Sequence, residues 1–226
     1  MTILLIAGRA LKNADDHIRR YCGLPWSGGA GETWAYRYFD DIPDPDPTRV
    51  GPVDVLTAAA LHPGLHHTDL TWFWDHHGHL ESALAALPTD IDLGQVTPDQ
   101  LRAVQNLPEL VGPGAPGLSL LSKVLHRKRP RLVPMLDRAV LDRYRPLLSS
   151  RSPDAWPALV QALHDDLGHA DNIGALNTIS QSLHVDLSVV PGPLRLVDIS
   201  IWMQPRVKSR PTSTGVVAIR NRSSHA

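Results

Sequence analysis

The sequence predicts an all-α or nearly all-α fold, a compact bundle of about eight to ten short helices with a small β element in residues 26–40. Apolar residues recur at helical spacing from residue 53 onward, and the connections between the helical patterns are short. β signals are confined to the first forty residues, where the aromatic-rich residues 33–39 (TWAYRYF) are the best candidate for a strand. We therefore expect residues 1–204 to form a single helical domain.

Before residue 53 the sequence predicts one helix and two irregular stretches. Residues 14–22 (ADDHIRRYC) form a short helical pattern. Residues 26–31 (WSGGAG) have the glycine content of a phosphate cradle but lack the Lys-Ser or Lys-Thr ending of a P-loop, so we interpret them as a loop or hairpin connection. Residues 40–47 (DDIPDPDP) are expected to be irregular, because each proline removes a hydrogen-bond donor and restricts the residue before it.

Helical patterns follow one another through the rest of the chain. They cover residues 53–61, 69–74, 79–87, 97–108, 118–127, 135–144, 154–167, 173–185 and 193–203. The clearest start signal is at Thr97, which can cap a helix, with Pro98 suited to the first turn and Gln100 completing a capping box. Beyond Pro205 the composition turns to Arg, Ser, Thr and Gly, so residues 205–226 are predicted to be a basic, disordered tail.

The helix predicted at residues 118–127 is the candidate for the centre of the core. Leu118, Leu121 and Leu125 recur at helical spacing and form one apolar stripe. Ser122 and Lys123 are expected on other faces of the same helix.

Composition limits the class of protein. The chain has 226 residues, of which 42% are hydrophobic and 20% charged, as is typical of a soluble globular protein. No apolar run is long enough to span a membrane, and no positive charge precedes the short apolar run near the N-terminus, which argues against a secretory signal. Cys22 is the only cysteine, so neither a disulfide framework nor a cysteine zinc site is expected. These features predict a cytoplasmic location.

Charge is distributed unevenly along the chain. Residues 1–119 contain 7 Lys and Arg against 15 Asp and Glu, a net charge of −8, whereas residues 120–226 contain 15 against 8, a net charge of +7. An anionic partner would be drawn to the second half. Alternatively, the two halves neutralise each other across one fold.

A glycine-rich turn and an aspartate provide the sharpest functional pattern. Residues 110–114 (LVGPG) place Gly112 and Gly114 between two predicted helices, which suits a helix-hairpin-helix. The glycines allow a tight turn and let a phosphate approach the backbone N–H groups at the next helix. Asp137 follows 23 residues after Gly114, within residues 133–140 (VPMLDRAV).

This stretch resembles the core of the helix-hairpin-helix DNA glycosylase superfamily. The resemblance implies that residues 110–114 grip a backbone phosphate, and that Asp137 lies beside a flipped nucleotide, where it activates water or stabilises the cationic sugar. Pro116 and Gly117 depart from the family, because they stand where its second hairpin helix usually begins. No lysine occupies the position that lyase-active members use, and there is no cluster of four cysteines. The implied activity is therefore that of a monofunctional glycosylase-like hydrolase without a cofactor.

A basic patch surrounds the aspartate. We predict that it forms a DNA-binding surface over residues 123–145. The residues assigned to nucleic-acid binding are Gly112, Gly114, Lys123, Arg127, Lys128, Arg129, Arg131 and Arg138. Two alternatives remain open, a patch that pairs with the acidic first half and an Asp137 that only caps a helix. The same scaffold without chemistry would be a nucleic-acid- or protein-binding module.

Three segments of the chain resemble an uncharacterised family of actinobacterial proteins, a domain of unknown function. They are DVLTAAALHPGL, LLSKVLHRKRPRLVPMLDRAVLDRYR and LRLVDISIWM. This resemblance spans most of residues 33–204 and implies a folded family without naming an activity.

Two further groups of residues have simpler interpretations. The histidines between His62 and His79 lack a metal-site spacing, because Pro63 and Gly64 prevent His62 and His66 from sharing a helix face, so no metal site is predicted. Asp198 lies within an apolar helix and is expected to form a buried ion pair, with Arg195 at i−3 as one candidate partner.

Overall fold

The structure, a computed structural model, is mostly α-helical with one small β-hairpin, which confirms the predicted fold class. It describes residues 2–31, 34, 36–61, 64–110, 115–148 and 155–204. The strands are β1 Ile3–Ile6 and β2 Arg9–Lys12. The helices are α1 Ala14–Tyr21, α2 Tyr36–Phe39, α3 Pro52–Ala59, α4 His67–Ala85, α5 Pro98–Gln105, α6 Leu107–Leu110, α7 Leu118–Lys128, α8 Arg138–Tyr144, α9 Ala155–Gly168, α10 Ala170–Leu183 and α11 Pro193–Trp202.

The β element lies earlier in the chain than predicted. β1 and β2 pair antiparallel, with Ile3 opposite Lys12, and the turn residues Ala7 and Gly8 both have positive φ, of 50° and 67°. Such a two-residue turn matches the natural twist of a hairpin. Residues 33–39 were predicted as a strand, but their second half is α2. Aromatic composition favours a strand, but it does not by itself exclude a short helical turn.

The hairpin is fastened to the helices by side chains that imitate a neighbouring strand. Asn172 of α10 accepts a hydrogen bond from the Leu5 N–H (2.7 Å) and donates one to the Leu5 carbonyl (2.8 Å). Asp166 of α9 accepts from the Ala7 N–H (2.8 Å). The outward-facing backbone groups of Leu5 are therefore satisfied without a third strand.

Local start signals were the most accurate part of the prediction. The Gln100 N–H donates to the Thr97 hydroxyl and the Thr97 N–H donates to the Gln100 side chain, which is the predicted capping box at the start of α5. The patterns at residues 69–74 and 79–87 belong to one helix, α4, which continues through Gly78. A glycine inside a helix is tolerated at a cost of about 1 kcal/mol.

Helix α7 is the central helix, as predicted, but it is buried on more faces than its apolar stripe indicates. It packs against α3, and every residue from Leu120 to Lys128 is buried. Ser122 and Lys123 were expected on other faces, yet both are buried. The helix that follows, α8, packs against α11, which in turn contacts α1. The four helices α1, α7, α8 and α11 together position the site described next.

No helix among the described residues is both long and apolar enough to cross a membrane. The predicted tail at residues 205–226 lies outside the described residues.

Candidate functional site

Asp137 is the N-cap of α8. Its backbone is extended (φ −126°, ψ 173°), and its Oδ1 accepts a hydrogen bond from the Val140 N–H at 3.0 Å. Asp137 therefore does cap a helix, and a capping carboxylate stabilises the start of that helix. The cap uses only one of the two carboxylate oxygens, which leaves Oδ2 available for other contacts.

The segment that leads to Asp137 is held by α7. The imidazole of His126 donates from Nδ1 to the Val133 carbonyl (2.7 Å), and the Ser122 hydroxyl accepts from the Leu136 N–H (2.9 Å). Both groups belong to the buried centre of the fold. Two hydrogen bonds from α7 thus hold the segment that leads to Asp137.

Asp137 lines a cavity of about 450 Å³, which is within the size range of small-ligand sites. The cavity lies between residues of α1, α7, α11 and the start of α8. It is lined by Tyr21, Trp34, Ala60, Leu61, Lys123, Met135, Asp137, Arg195, Asp198, Ile199 and Trp202. The structure therefore brings two predicted site residues, Lys123 and Asp137, to one cavity, and adds a second carboxylate and an aromatic wall.

Lys123 is a buried cation at this cavity. Its Nζ donates to the Ser119 carbonyl (3.2 Å) and to the Ser119 hydroxyl (2.9 Å). Burial lowers the pKa of Lys123, and the negative charges of Asp137 and Asp198 oppose that effect. The ammonium group therefore lies in the field of both carboxylates.

The second carboxylate, Asp198, forms the predicted ion pair with Arg195. The Asp198 Oδ2 accepts from the Arg195 guanidinium, which also donates to both oxygens of Asp40 (2.8 and 2.9 Å) and to the Tyr21 hydroxyl (2.6 Å). The Tyr21 hydroxyl in turn donates to Asp40. One guanidinium thus joins α1, the loop after α2, and α11, and its own contacts hold Asp198 in one orientation.

Asp198 differs from Asp137 in its environment. It is only 8% exposed, and its Oδ1 has no hydrogen-bond partner within the described part of the chain. Burial raises the pKa of Asp198 to about 7, with the charge of Asp137 adding to the rise and those of Arg195 and Lys123 opposing it. The cavity therefore combines a capping carboxylate with a buried one whose pKa is raised by its burial.

Aromatic side chains form one wall of the cavity. Trp202 makes edge contacts with Trp34, at 5.3 Å between ring centroids, and with Tyr21, at 6.2 Å. Trp34 is 40% exposed, and the Arg20 guanidinium lies 5.7 Å from the centre of its ring. A flat ring entering the cavity would find aromatic faces beside two carboxylates.

Most of the cations in the predicted basic surface are buried in the structure. Arg127, Lys128 and Arg129 are buried at the end of α7, which corrects the expectation that they face a nucleic acid. Lys128 is 1% exposed and pairs with Asp44 (2.7 Å) and Asp54 (2.8 Å). Removing these cations from their partners to bind phosphate would leave buried charges unpaired.

The partners of these cations lie in the acidic first half. Arg127 donates to the carbonyls of Phe39, Ile42 and Pro43, and Arg129 to those of Pro47 and Leu84. The segment between residues 40 and 47 is rich in prolines, which supply carbonyls without N–H groups, so its acceptors need donors from elsewhere. The charge asymmetry between the halves is therefore partly neutralised inside the fold, as the alternative interpretation held.

The remaining predicted binding residues have different positions. Arg131 forms a two-point ion pair with Asp92 (2.8 and 2.7 Å). Arg138, next to Asp137, has a 95% exposed side chain and lies 3.9 Å from Asp142. Gly112 and Gly114 lie outside the described residues, so the predicted hairpin stays a prediction.

The histidine cluster has no metal-binding geometry in the part of the chain that is described. No group of three His, Cys, Asp or Glu side chains there could hold a metal ion. His76 instead stacks on Trp72, with ring centroids 4.5 Å apart, and its Nδ1 contacts the Trp72 carbonyl.

Sequence reasoning missed the cavity walls. Tyr21, Trp34 and Trp202 come from three distant segments, and no local pattern connects them. The sequence did indicate Asp198, because a carboxylate inside an apolar helix is buried only when it has a partner.

Comparison with known proteins identifies a family and no activity. A family model described as "Family of unknown function (DUF6308)" matches residues 14–205. No curated protein and no solved structure matches the chain. The comparisons thus support the resemblance to a family of unknown function and add nothing to the glycosylase resemblance or to the actinobacterial source.

Proposed function

The chain belongs to a family of unknown function, DUF6308, so we propose its activity from the geometry of the cavity: hydrolysis of the N-glycosidic bond of a nucleoside unit within DNA. The single observation that carries this proposal is the convergence of Lys123, Asp137 and Asp198 on one aromatic-walled cavity. The base would lie against the Trp34 and Trp202 side, with its sugar toward Asp137.

Breaking an N-glycosidic bond gives the sugar the character of an oxocarbenium ion. A fixed carboxylate beside that sugar stabilises its positive charge, and it can also accept a proton from the attacking water. Asp137 suits this role because its Oδ1 is anchored at the helix cap while Oδ2 makes no hydrogen bond to any residue in the described ranges. The cap holds the carboxylate in place before the substrate arrives.

Lys123 has a supporting role in this scheme. Its ammonium group is buried beside both carboxylates and is anchored by Ser119. Its positive charge lies at the same cavity as the carboxylate of Asp137. Lys123 is therefore proposed to contact the nucleic acid inside the cavity and not on an outer surface.

The cavity suits a nucleoside unit better than an intact duplex. A base must leave the stack to reach side chains this deep, at a cost of a few kcal/mol. The exposed Arg138 follows Asp137 in the chain and lines a neighbouring surface pocket that Asp137 also borders, from which it would contact a phosphate outside the cavity. Arg127, Lys128 and Arg129 are omitted from the proposal because they are buried and paired.

Base release is the direct test. The protein is incubated with single- and double-stranded DNA carrying modified bases, and with the matching free nucleosides, and released bases are measured by mass spectrometry. Asp137→Asn should abolish release without unfolding the protein, since Asn caps helices about as well as Asp. Asp142→Asn is the matched control, because Asp142 lies on the same helix, is about half exposed and does not line the cavity. Absence of release from every substrate, or equal release by wild type and Asp137→Asn, would sink the proposal.

A second candidate function is a non-catalytic DNA-binding module. It is favoured by one observation, that the capping bond already accounts for the presence of Asp137. This function predicts DNA binding that weakens steeply with salt, without base release, and is unchanged in Asp137→Asn. Binding that does not change between low and physiological salt would contradict it.

A further inference from the structure

We infer that Asp198 is the general acid of the proposed reaction, the group that protonates the departing base. This inference rests on the proposed function and extends it to a second residue. No sequence pattern assigns the role, because Asp198 lies 61 residues after Asp137, on a different helix.

The geometry of its carboxyl group is the first argument. Asp198 lines the same cavity as Asp137, and its two oxygens have different surroundings. Oδ2 accepts from Arg195, whereas Oδ1 is buried and has no partner in the described chain. A buried polar atom without a partner is unfavourable, and a ligand in the cavity that hydrogen-bonds to Oδ1 would remove that penalty.

The charged and titratable groups around Asp198 come from four sides. Arg195 is on the same helix as Asp198, Lys123 comes from α7 and Asp137 from the start of α8. Tyr21 comes from α1. Burial is the largest influence on the carboxyl group, and it favours the protonated form. Asp137 has different surroundings, because its Oδ1 accepts the Val140 N–H at the start of α8. The two carboxyl groups of the cavity are therefore placed differently, which suits two different roles.

The proton and electron balance of the step is complete. Asp198 gives its proton to a ring nitrogen of the base as the C1′–N bond breaks, and the bonding electron pair leaves with the base. Water adds to C1′ and gives its proton to Asp137. The products are the free base and a sugar with a hydroxyl at C1′. A proton then passes from Asp137 to Asp198 through solvent, which restores the starting state.

Leaving-group chemistry tests the role of Asp198. A neutral purine, such as adenine or hypoxanthine, leaves slowly unless it is protonated, whereas 7-methylguanine is already cationic and leaves without an acid. Asp198→Asn should therefore slow release of the neutral base by roughly 10²–10⁴-fold and change release of 7-methylguanine by less than about tenfold. A variant that merely unfolds would lose both activities in equal proportion.

Two controls separate this inference from the proposed function. Asp137→Asn should abolish release of both bases, because Asp137 acts on the sugar rather than on the leaving group. The titration of the Asp198 side chain, followed by carbon-13 NMR of the carboxyl group, should have a midpoint near 7 in wild-type protein. If wild type releases both bases and Asp198→Asn releases both equally well, the inference alone is overturned. A titration midpoint near 4 for the Asp198 carboxyl group would also overturn it. Absence of release by wild type would overturn the proposed function, and the acid role with it.

Discussion

The hydroxyl of Ser122 accepts a hydrogen bond of 2.9 Å from the backbone N–H of Leu136. This bond connects the middle of α7 to the residue before Asp137. The same hydroxyl donates to the Ser119 carbonyl. Ser119 also holds the ammonium group of Lys123. One short stretch of the central helix therefore positions both the aspartate and the lysine of the cavity.

Replacing Ser122 with Ala should lower the free energy of unfolding by about 1–3 kcal/mol, because the buried Leu136 N–H loses the one partner it has among the described residues. Ser200→Ala is the matched control. The Ser200 hydroxyl is equally buried but donates to Leu196 within its own helix, so its loss strands no N–H group and should cost less than about 1 kcal/mol. Urea denaturation of both variants measures the difference. Equal decreases in the free energy of unfolding of the two variants would contradict a specific contribution from the Ser122–Leu136 hydrogen bond.

The contact between Ser122 and Leu136 also shows which structural features can be predicted from the sequence. Thr97, Pro98 and Gln100 were interpreted correctly because a capping box is complete within four residues. The centrality of α7 was also predictable, since its apolar stripe is strong. Helical spacing cannot reveal that Ser122 is buried, because its partner is fixed only by the path of the loop after α7.

Burial of the cations at the end of α7 could not be predicted for a related reason. The partners of Lys128, Asp44 and Asp54, lie more than seventy residues earlier in the chain. A run such as HRKRPR has the same composition on a DNA-binding surface and inside a folded ion-pair network. Only the acidic excess in the first half favoured the second possibility, and charge totals cannot assign pairs.

Removing Lys128 should therefore destabilise the fold rather than weaken ligand binding. Lys128→Met leaves Asp44 and Asp54 without their shared cation and should lower the free energy of unfolding by about 3–5 kcal/mol. Lys12→Met makes the same chemical change at an exposed position of β2 and should change stability by less than about 0.5 kcal/mol. Chemical denaturation distinguishes the two. A Lys128→Met protein as stable as wild type would contradict the buried network.

His126 should make the protein sensitive to acid. Burial lowers its pKa to about 4, with the positive charge of Arg195 acting in the same direction, so the folded protein keeps this imidazole neutral while the unfolded chain protonates it below about pH 6.5. The unfolded state therefore binds more protons between pH 6.5 and 4. Stability from this group is full above pH 6.5 and falls by about 3 kcal/mol as the pH decreases to 4.

The comparison must be made between variants, because Asp198 acts in the opposite direction over the same range. Its raised pKa means that the folded state binds the extra proton, so its contribution to stability grows as the pH falls from 7 to 4. His126→Gln removes one titration and leaves the other. The stability difference between wild type and His126→Gln should shrink by about 3 kcal/mol between pH 7.5 and pH 4.5 in urea denaturation. Parallel curves for the two proteins would show that His126 takes up its proton over the same pH range in the folded and unfolded states, which would contradict its lowered pKa.

The last prediction concerns two glycines that look interchangeable in sequence. A Cβ at Gly94 would lie 2.6 Å from the Leu167 backbone carbon and 2.8 Å from the Gly168 nitrogen, whereas a Cβ at Gly174, on the exposed side of α10, would meet nothing within 4 Å. Gly94→Ala must therefore push the 3₁₀ turn Leu93–Gln95 away from the end of α9, at a cost of about 1–3 kcal/mol. Gly174→Ala should stabilise the protein by about 0.5–1 kcal/mol, because alanine is the better helix former. Thermal unfolding should thus give Tm shifts of opposite sign for the same substitution, and shifts of equal sign would contradict the close packing of the turn on α9.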